Sequence, residues 1–198
     1  MYYFIDFYNL YQRIQNIYKL NMKKHSCGAI LYTIFNNKVY IILGMEKGKW
    51  YPFKGTREKG ETNELAAIRE IYEETCGVIK LNKIELECHF STKRKHYHIG
   101  LLYIKPDFID RFYINRQFIV NNLDIMDKKY KSFLEKNDIK MFSLNEINYR
   151  KFHHVTLTPI KYYYDVLKNV EQKQMLKKTS SPYMQSTDTT FNGPSLTL

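Results

Sequence analysis

The chain has 198 residues, 44% of them hydrophobic and 16% aromatic, so it can build a real core without disulfide or metal staples and is not globally disordered. Lys and Arg exceed Asp and Glu by 31 − 20 = 11, an excess that favours a polyanionic partner such as nucleic acid, a nucleotide or an inositol phosphate. No apolar run is long enough to span a membrane, and the first residues lack the basic-then-apolar pattern of a signal peptide.

Taken in chain order, Phe4, Phe7, Tyr8, Tyr11, Ile14 and Tyr18 recur at helical spacing and predict an amphipathic helix over residues 1–22, packed on the domain. The runs 29–35 and 38–44 flank Asn36-Asn37 and read as a hairpin. Residues 62–74 read as a helix, with Ala66, Ala67 and Ile71 among its apolar positions. A second strand pair is expected at 80–90 and 97–105, with a basic tip, Thr92-Lys93-Arg94-Lys95-His96. Helix is expected over 127–135, a short strand over 140–144, and a closing helix over 158–170 with Pro159 in its first turn. From residue 172 the chain becomes rich in Ser, Thr, Gln and Pro, and 172–198 is expected to be a disordered tail. The expected domains are therefore 1–22, 23–171 and 172–198. Cys27, Cys76 and Cys88 are odd in number and lack paired spacing. They read as reduced thiols of a cytoplasmic or nuclear protein, not as a zinc site.

The chemistry concentrates between Trp50 and Val78. Glu70, Glu73 and Glu74 stand at i, i+3 and i+4, so their carboxylates project from one helical face and repel one another. Arg69 can pair with Glu73, but one guanidinium does not neutralise three acids. A hard divalent cation such as Mg²⁺ or Mn²⁺ would. A solvated acidic face is the alternative for an isolated pattern of this kind. Here, however, a glycine-containing loop from Lys54 and Gly55 to Gly60 and Glu61 leads directly into the helix, where backbone can approach a metal or phosphate closely.

The spacing is specific: Gly55, five residues, Glu61, seven residues, then Arg69-Glu70-Ile71-Tyr72-Glu73-Glu74. It resembles the box of the Nudix hydrolases. Two departures occur. Thr75 and Cys76 both precede Gly77, where the family has one residue, so either Gly77 caps a longer helix or Cys76 takes the glycine position. Pro52-Phe53 also reverses the Phe-Pro order common at the entry to the box.

The resemblance implies an α/β fold, a mixed sheet sandwiched between helices. It also implies Mg²⁺- or Mn²⁺-dependent attack of water on a diphosphate joined to another group, commonly a nucleoside. By position, Glu73 and Glu74 would be principal metal ligands, and Glu70 a further ligand or the base. The Lys54 carbonyl would complete the metal shell, Arg69 would orient the acids, and Glu61 would brace the loop or bind metal through water. A further acid outside the box is best matched by Glu135, with Asp138 second. Substrate contacts are expected from Lys54, Gly55, Trp50, Lys93, Arg94 and Lys95. Gly28-Ala29-Ile30, Met141-Phe142-Ser143-Leu144 and Thr158-Pro159 loosely resemble the mRNA-decapping branch. Capped RNA is therefore the preferred substrate, with Lys23-Lys24, the 93–95 tip and Lys128-Lys129-Tyr130-Lys131 as candidate RNA contacts. Dinucleoside polyphosphates or diphosphoinositol polyphosphates are the alternatives, and a catalytically inactive nucleotide- or RNA-binding module is the opposing class.

Overall fold

The computed structural model describes residues 23–147 and 152–179. The expected N-terminal helix and most of the expected tail lie outside them. The elements are β1 (Lys24–Phe35), β2 (Lys38–Glu46), β3 (Lys49–Tyr51), β4 (Phe53–Thr56), α1 (Asn63–Glu74), β5 (Cys88–Ser91), β6 (Lys95–Tyr103), α2 (Phe108–Asn122), a 3-10 stretch (Lys128–Leu134), β7 (Asp138–Ser143), a short 3-10 turn (Leu144–Glu146) and α3 (His154–Thr179).

The strands form one mixed sheet in the order β3-β2-β1-β6-β5, with β4 also paired to β1 and β7 to β2. β1 and β6 run parallel, and the other pairs are antiparallel. β1 pairs along Leu31–Phe35 with β2 and along Ser26–Ala29 with β4, so the chain entering the glycine loop is hydrogen-bonded to the central strand. The expected hairpin turn has a physical basis in Asn36 and Asn37, both left-handed (φ 49° and 61°), a conformation Asn tolerates and a tight β-hairpin requires.

Period-two alternation divides the core between the two sheet faces. Cys27, Ala29 and Leu31 of β1 pack with Phe53, Ala66, Ala67, Ile71, Phe108 and Phe112 under α1 and α2. Ile30 of β1 points the other way and joins Val39, Ile41, Leu43, Ile99, Tyr163 and Leu167 under α3. Both faces are thus covered, as expected for a sheet sandwiched between helices. Phe53 of the reversed Pro-Phe pair is fully buried and meets Phe108 edge-on at 6.3 Å, so it is a core residue and not a cleft-lining one.

Several boundaries differ from the sequence reading. Of the expected 80–90 strand only residues 88–90 are strand, within β5, which pairs with β6. The segment before it is irregular and takes no part in the ladder, although Glu85 and Ile84 lie against Gly100 of β6. The expected helix at 127–135 is a 3-10 stretch, while the main helix of this region, α2, lies earlier. Its apolar residues fall on several sides, with Phe112 and Ile119 buried but Ile114 and Phe118 exposed, which blurs the periodicity. The closing helix begins at His154 and runs to Thr179, so Pro159 lies in its second turn and residues 172–179 are helical rather than tail. Among the described residues no helix is long and apolar enough to cross a membrane.

Candidate active site

The ends of α1 are set locally. Thr62 caps its N-terminus, its hydroxyl accepting the Leu65 N–H at 3.2 Å. At the C-terminus, Cys76 N–H donates to the Glu73 carbonyl at 3.0 Å and Gly77 N–H to the Tyr72 carbonyl at 2.8 Å. This pair of bonds is a Schellman cap, and it puts Cys76 in the left-handed position usually held by glycine (φ 54°), followed by Gly77 (φ 74°). Cys76 thus takes the glycine position, and the extra residue changes the cap without disturbing the acids one turn earlier. The Cys76 thiol is buried and donates to the Phe133 carbonyl at 3.1 Å.

Arg69 ties the glycine loop to the helix. Its guanidinium donates to both Glu61 oxygens (2.7 and 2.9 Å), to Glu70 Oε1 (2.9 Å) and to the Thr56 carbonyl (3.1 Å). Glu73 Oε1 lies 3.7 Å away. Glu61 also accepts the Glu58 N–H at 2.8 Å. These bonds, Arg69 foremost, hold its carboxyl below the usual range. Glu61 is thus a brace for the loop. Glu70 is buried, and that burial raises its carboxyl despite Arg69. Its carboxylate lies over Gly55, where any Cβ would collide with it. Gly55 is therefore required by the acid and not by an unusual backbone angle.

The three helix acids do not share one environment. Glu70 and Glu73 line a cleft of about 470 Å³ together with Glu46, Lys54, Gly55, Arg57, Arg69, Lys95 and Glu135. Glu74 is turned inward. It is 1% exposed, its Oε2 accepts the Lys54 backbone N–H at 2.6 Å, and its Oε1 meets Lys136 Nζ at 3.0 Å. Burial raises its carboxyl, and Lys136 and Lys54 oppose the rise. Lys136 is itself fully buried and also reaches Glu46 Oε2 at 3.2 Å. One oxygen each from Glu46, Glu74 and Glu135 lies within 4.8 Å of the others. Glu135 is exposed at the cleft, whereas Asp138 is bonded to the Tyr113 hydroxyl and the Ile139 N–H. Of the two candidates outside the box, only Glu135 faces the acids.

The expected substrate residues separate. Lys54, Gly55 and Lys95 line the cleft. Lys93 and Arg94 line an adjoining cavity of about 480 Å³ with Tyr97, His153 and His154, and Lys95 belongs to both. Trp50 is elsewhere, packed edge-on against Phe142 at 5.3 Å. The sequence reading missed Glu46 and Lys136. Glu46 stands at the end of β2 beside a turn, and Lys136 in a polar stretch after Glu135 reads as solvated. Neither carries a local signal of burial.

Beside the loop, His25, His96, His98 and His89 share the β1–β6–β5 surface. His25 Nδ1 is 2.9 Å from His98 Nε2, and His89 Nδ1 is 3.0 Å from His98 Nδ1. The Asn63 amide also approaches His98 Nδ1, at 3.4 Å. Burial and the neighbouring histidines lower His98 to about 4. All three cysteines are free, and burial raises their thiols to about 11 or 12.

No family profile matches the chain, and no curated protein does. Solved structures similar to it include a mutT/nudix family protein from Listeria innocua, at 15% identity over 79% of this chain and 95% of that one, TM-score 0.47. Also similar are the C. elegans Ap4A hydrolase, at 18% over 80% and 100%, TM-score 0.41, and a NUDIX hydrolase from Nitrosomonas europaea, at 18% over 74% and 73%, TM-score 0.44. In its loop–helix motif and in the α/β sandwich that carries it, the chain resembles the Nudix hydrolases.

Proposed function

We propose that the chain is a Nudix hydrolase that cleaves a diphosphate linkage in a nucleoside-diphosphate-linked substrate, with water as nucleophile. The observation that carries this reading is the Arg69 lattice, which fixes the glycine loop to the helix beside a cleft lined by Glu70, Glu73 and Glu135 together with Lys54, Arg57 and Lys95. Carboxylate and carbonyl oxygens are the donors that Mg²⁺ and Mn²⁺ favour, so the residues fit such an ion. Glu70, Glu73 and Glu135 would hold it at the cleft, with Glu74 behind them, and when bound it supplies charge neutralisation at the phosphoryl oxygens. A carboxylate of this set that is not on the ion would take the proton from the attacking water. Lys54, Arg57 and Lys95 oppose the negative charge of the diphosphate.

The preferred substrate is capped RNA. The basic cavity of Lys93, Arg94 and Lys95 adjoins the cleft, where it would meet the phosphates of a chain running out of the site. Lys128 and Lys131 are exposed further along. Dinucleoside polyphosphates and diphosphoinositol polyphosphates carry the same phosphate chemistry without the long extension. The test is to incubate the protein and Mg²⁺ or Mn²⁺ with capped RNA, diadenosine polyphosphate and diphosphoinositol phosphate in parallel. Metal-dependent release of a capped-nucleoside diphosphate from long RNA alone is expected. Equal turnover of free cap analogue or dinucleotides would move the substrate to the alternatives. Full activity in a folded Glu73→Gln/Glu74→Gln variant would refute the site, and no turnover of any of the three would favour a binding module.

A further inference from the structure

Lys136 is the unusual residue of the site: its side chain is 0% exposed, yet it belongs to a segment that reads as solvent-facing. Its Nζ lies 3.0 Å from Glu74 Oε1 and 3.2 Å from Glu46 Oε2, and 5.6 Å above the ring of Tyr51. It stands inside the one group of carboxylates, Glu46, Glu74 and Glu135, whose oxygens are close enough to share a cation among the described residues.

The fold is shaped around this side chain. Gly44 lies in β2 between Leu43 and Met45, and a Cβ there would come within 2.7 Å of Lys136 Cδ and 2.8 Å of Cγ. No left-handed angle requires glycine at that position, so its role is to make room for the lysine stem. The backbone is held on both sides, because the Lys136 carbonyl accepts from Arg116 Nε at 3.3 Å and the next residue, Asn137, donates to the Met45 carbonyl at 3.0 Å. With Lys54 N–H on its other oxygen, Glu74 has both oxygens engaged by the protein.

We propose that Lys136 is a tethered cation that permanently occupies the carboxylates it pairs with, buried Glu74 and the partly exposed Glu46 (the inner acids), and confines exchangeable divalent ions to Glu70, Glu73 and Glu135. The proposal rests on the hydrolase reading for the presence of an exchangeable ion. A divalent ion on the Glu74 oxygens would lie within a few ångströms of the Lys136 ammonium, and because both side chains are buried that repulsion is weakly screened and excludes it. The lysine acts as a positioning residue. It sets how many ions the chain takes up and keeps the inner acids compensated when no metal is bound.

The test counts Mn²⁺ by electron paramagnetic resonance and follows the melting temperature of wild type, Lys136→Met and Lys136→Met/Glu46→Gln, each with and without Mn²⁺. Lys136→Met is expected to bind one more Mn²⁺ per chain than wild type and to gain more thermal stability from it. Recovery of soluble Lys136→Met only in Mn²⁺ gives the same support. The double variant, with one inner acid fewer, is expected to return to the wild-type count. An unchanged count in Lys136→Met, or no soluble protein with or without Mn²⁺, overturns the proposal. Wild type that binds no Mn²⁺ beside a Lys136→Met that binds one would strike the hydrolase reading and leave the tethered cation standing.

Discussion

A Gly55→Ala substitution separates the position of Glu70 from the stability of the fold. Gly55 lies in β4, pairs with Cys27 of β1 and has no left-handed backbone angle, so alanine is conformationally acceptable there. The cost is steric: the new Cβ coincides with the Glu70 carboxylate, the end of a flexible side chain. Rotating that carboxylate away breaks its 2.9 Å bond to Arg69, and a hydrogen bond to a charged group contributes about 1.5–3 kcal/mol. Two effects offset the loss. Arg69 keeps Glu61 and the Thr56 carbonyl, and Glu70, only 8% exposed, regains solvent. The net destabilisation expected is about 1 kcal/mol, roughly 2–4 °C in melting temperature for a chain of this size. Turnover should fall by about 10²-fold, the scale of an ångström-sized misplacement of a catalytic group. Thermal melts and metal-dependent diphosphate hydrolysis measure the two effects. In a Glu70→Gln background the alanine should add almost nothing to the rate loss, because both changes act through one carboxylate. A rate loss under about tenfold, or full additivity with Glu70→Gln, would refute the reasoning.

Three other outcomes follow from the geometry. Arg69→Lys replaces a fork that reaches both Glu61 oxygens by a point charge, and should lower stability in urea by about 2 kcal/mol and depress turnover; wild-type stability would show that the lattice is dispensable. Tyr163→Phe removes a buried bond to the Ile99 carbonyl at 2.8 Å between α3 and β6, and should cost about 1–2 kcal/mol without changing metal binding. His98 has a folded-state pKa near 4 against 6.5 when unfolded, so the unfolded chain binds more protons between those values. Stability from this residue is present above pH 6.5 and is lost as pH falls through about 4. His98→Gln should flatten the melting-temperature profile over that window, and an unchanged profile would place the acid sensitivity elsewhere.

What depends on near neighbours was legible along the chain. Helical periodicity put Glu70, Glu73 and Glu74 on one turn, the fixed spacing from Gly55 and Glu61 tied that helix to its loop, and Asn36-Asn37 marked a turn that Asn can adopt. Tertiary structure decided which way each acid faces. Glu74 differs from Glu73 by one position, yet it is buried because β4 and the segment after the 3-10 stretch close over it with the Lys54 N–H and Lys136. Glu46 and Lys136 are 90 residues apart and meet because β2 pairs with β7. A lysine after Glu135 has the same local pattern whether it ends in water or against two carboxylates. Only the pairing of distant strands, which removes the water around it, turns that side chain into part of the site.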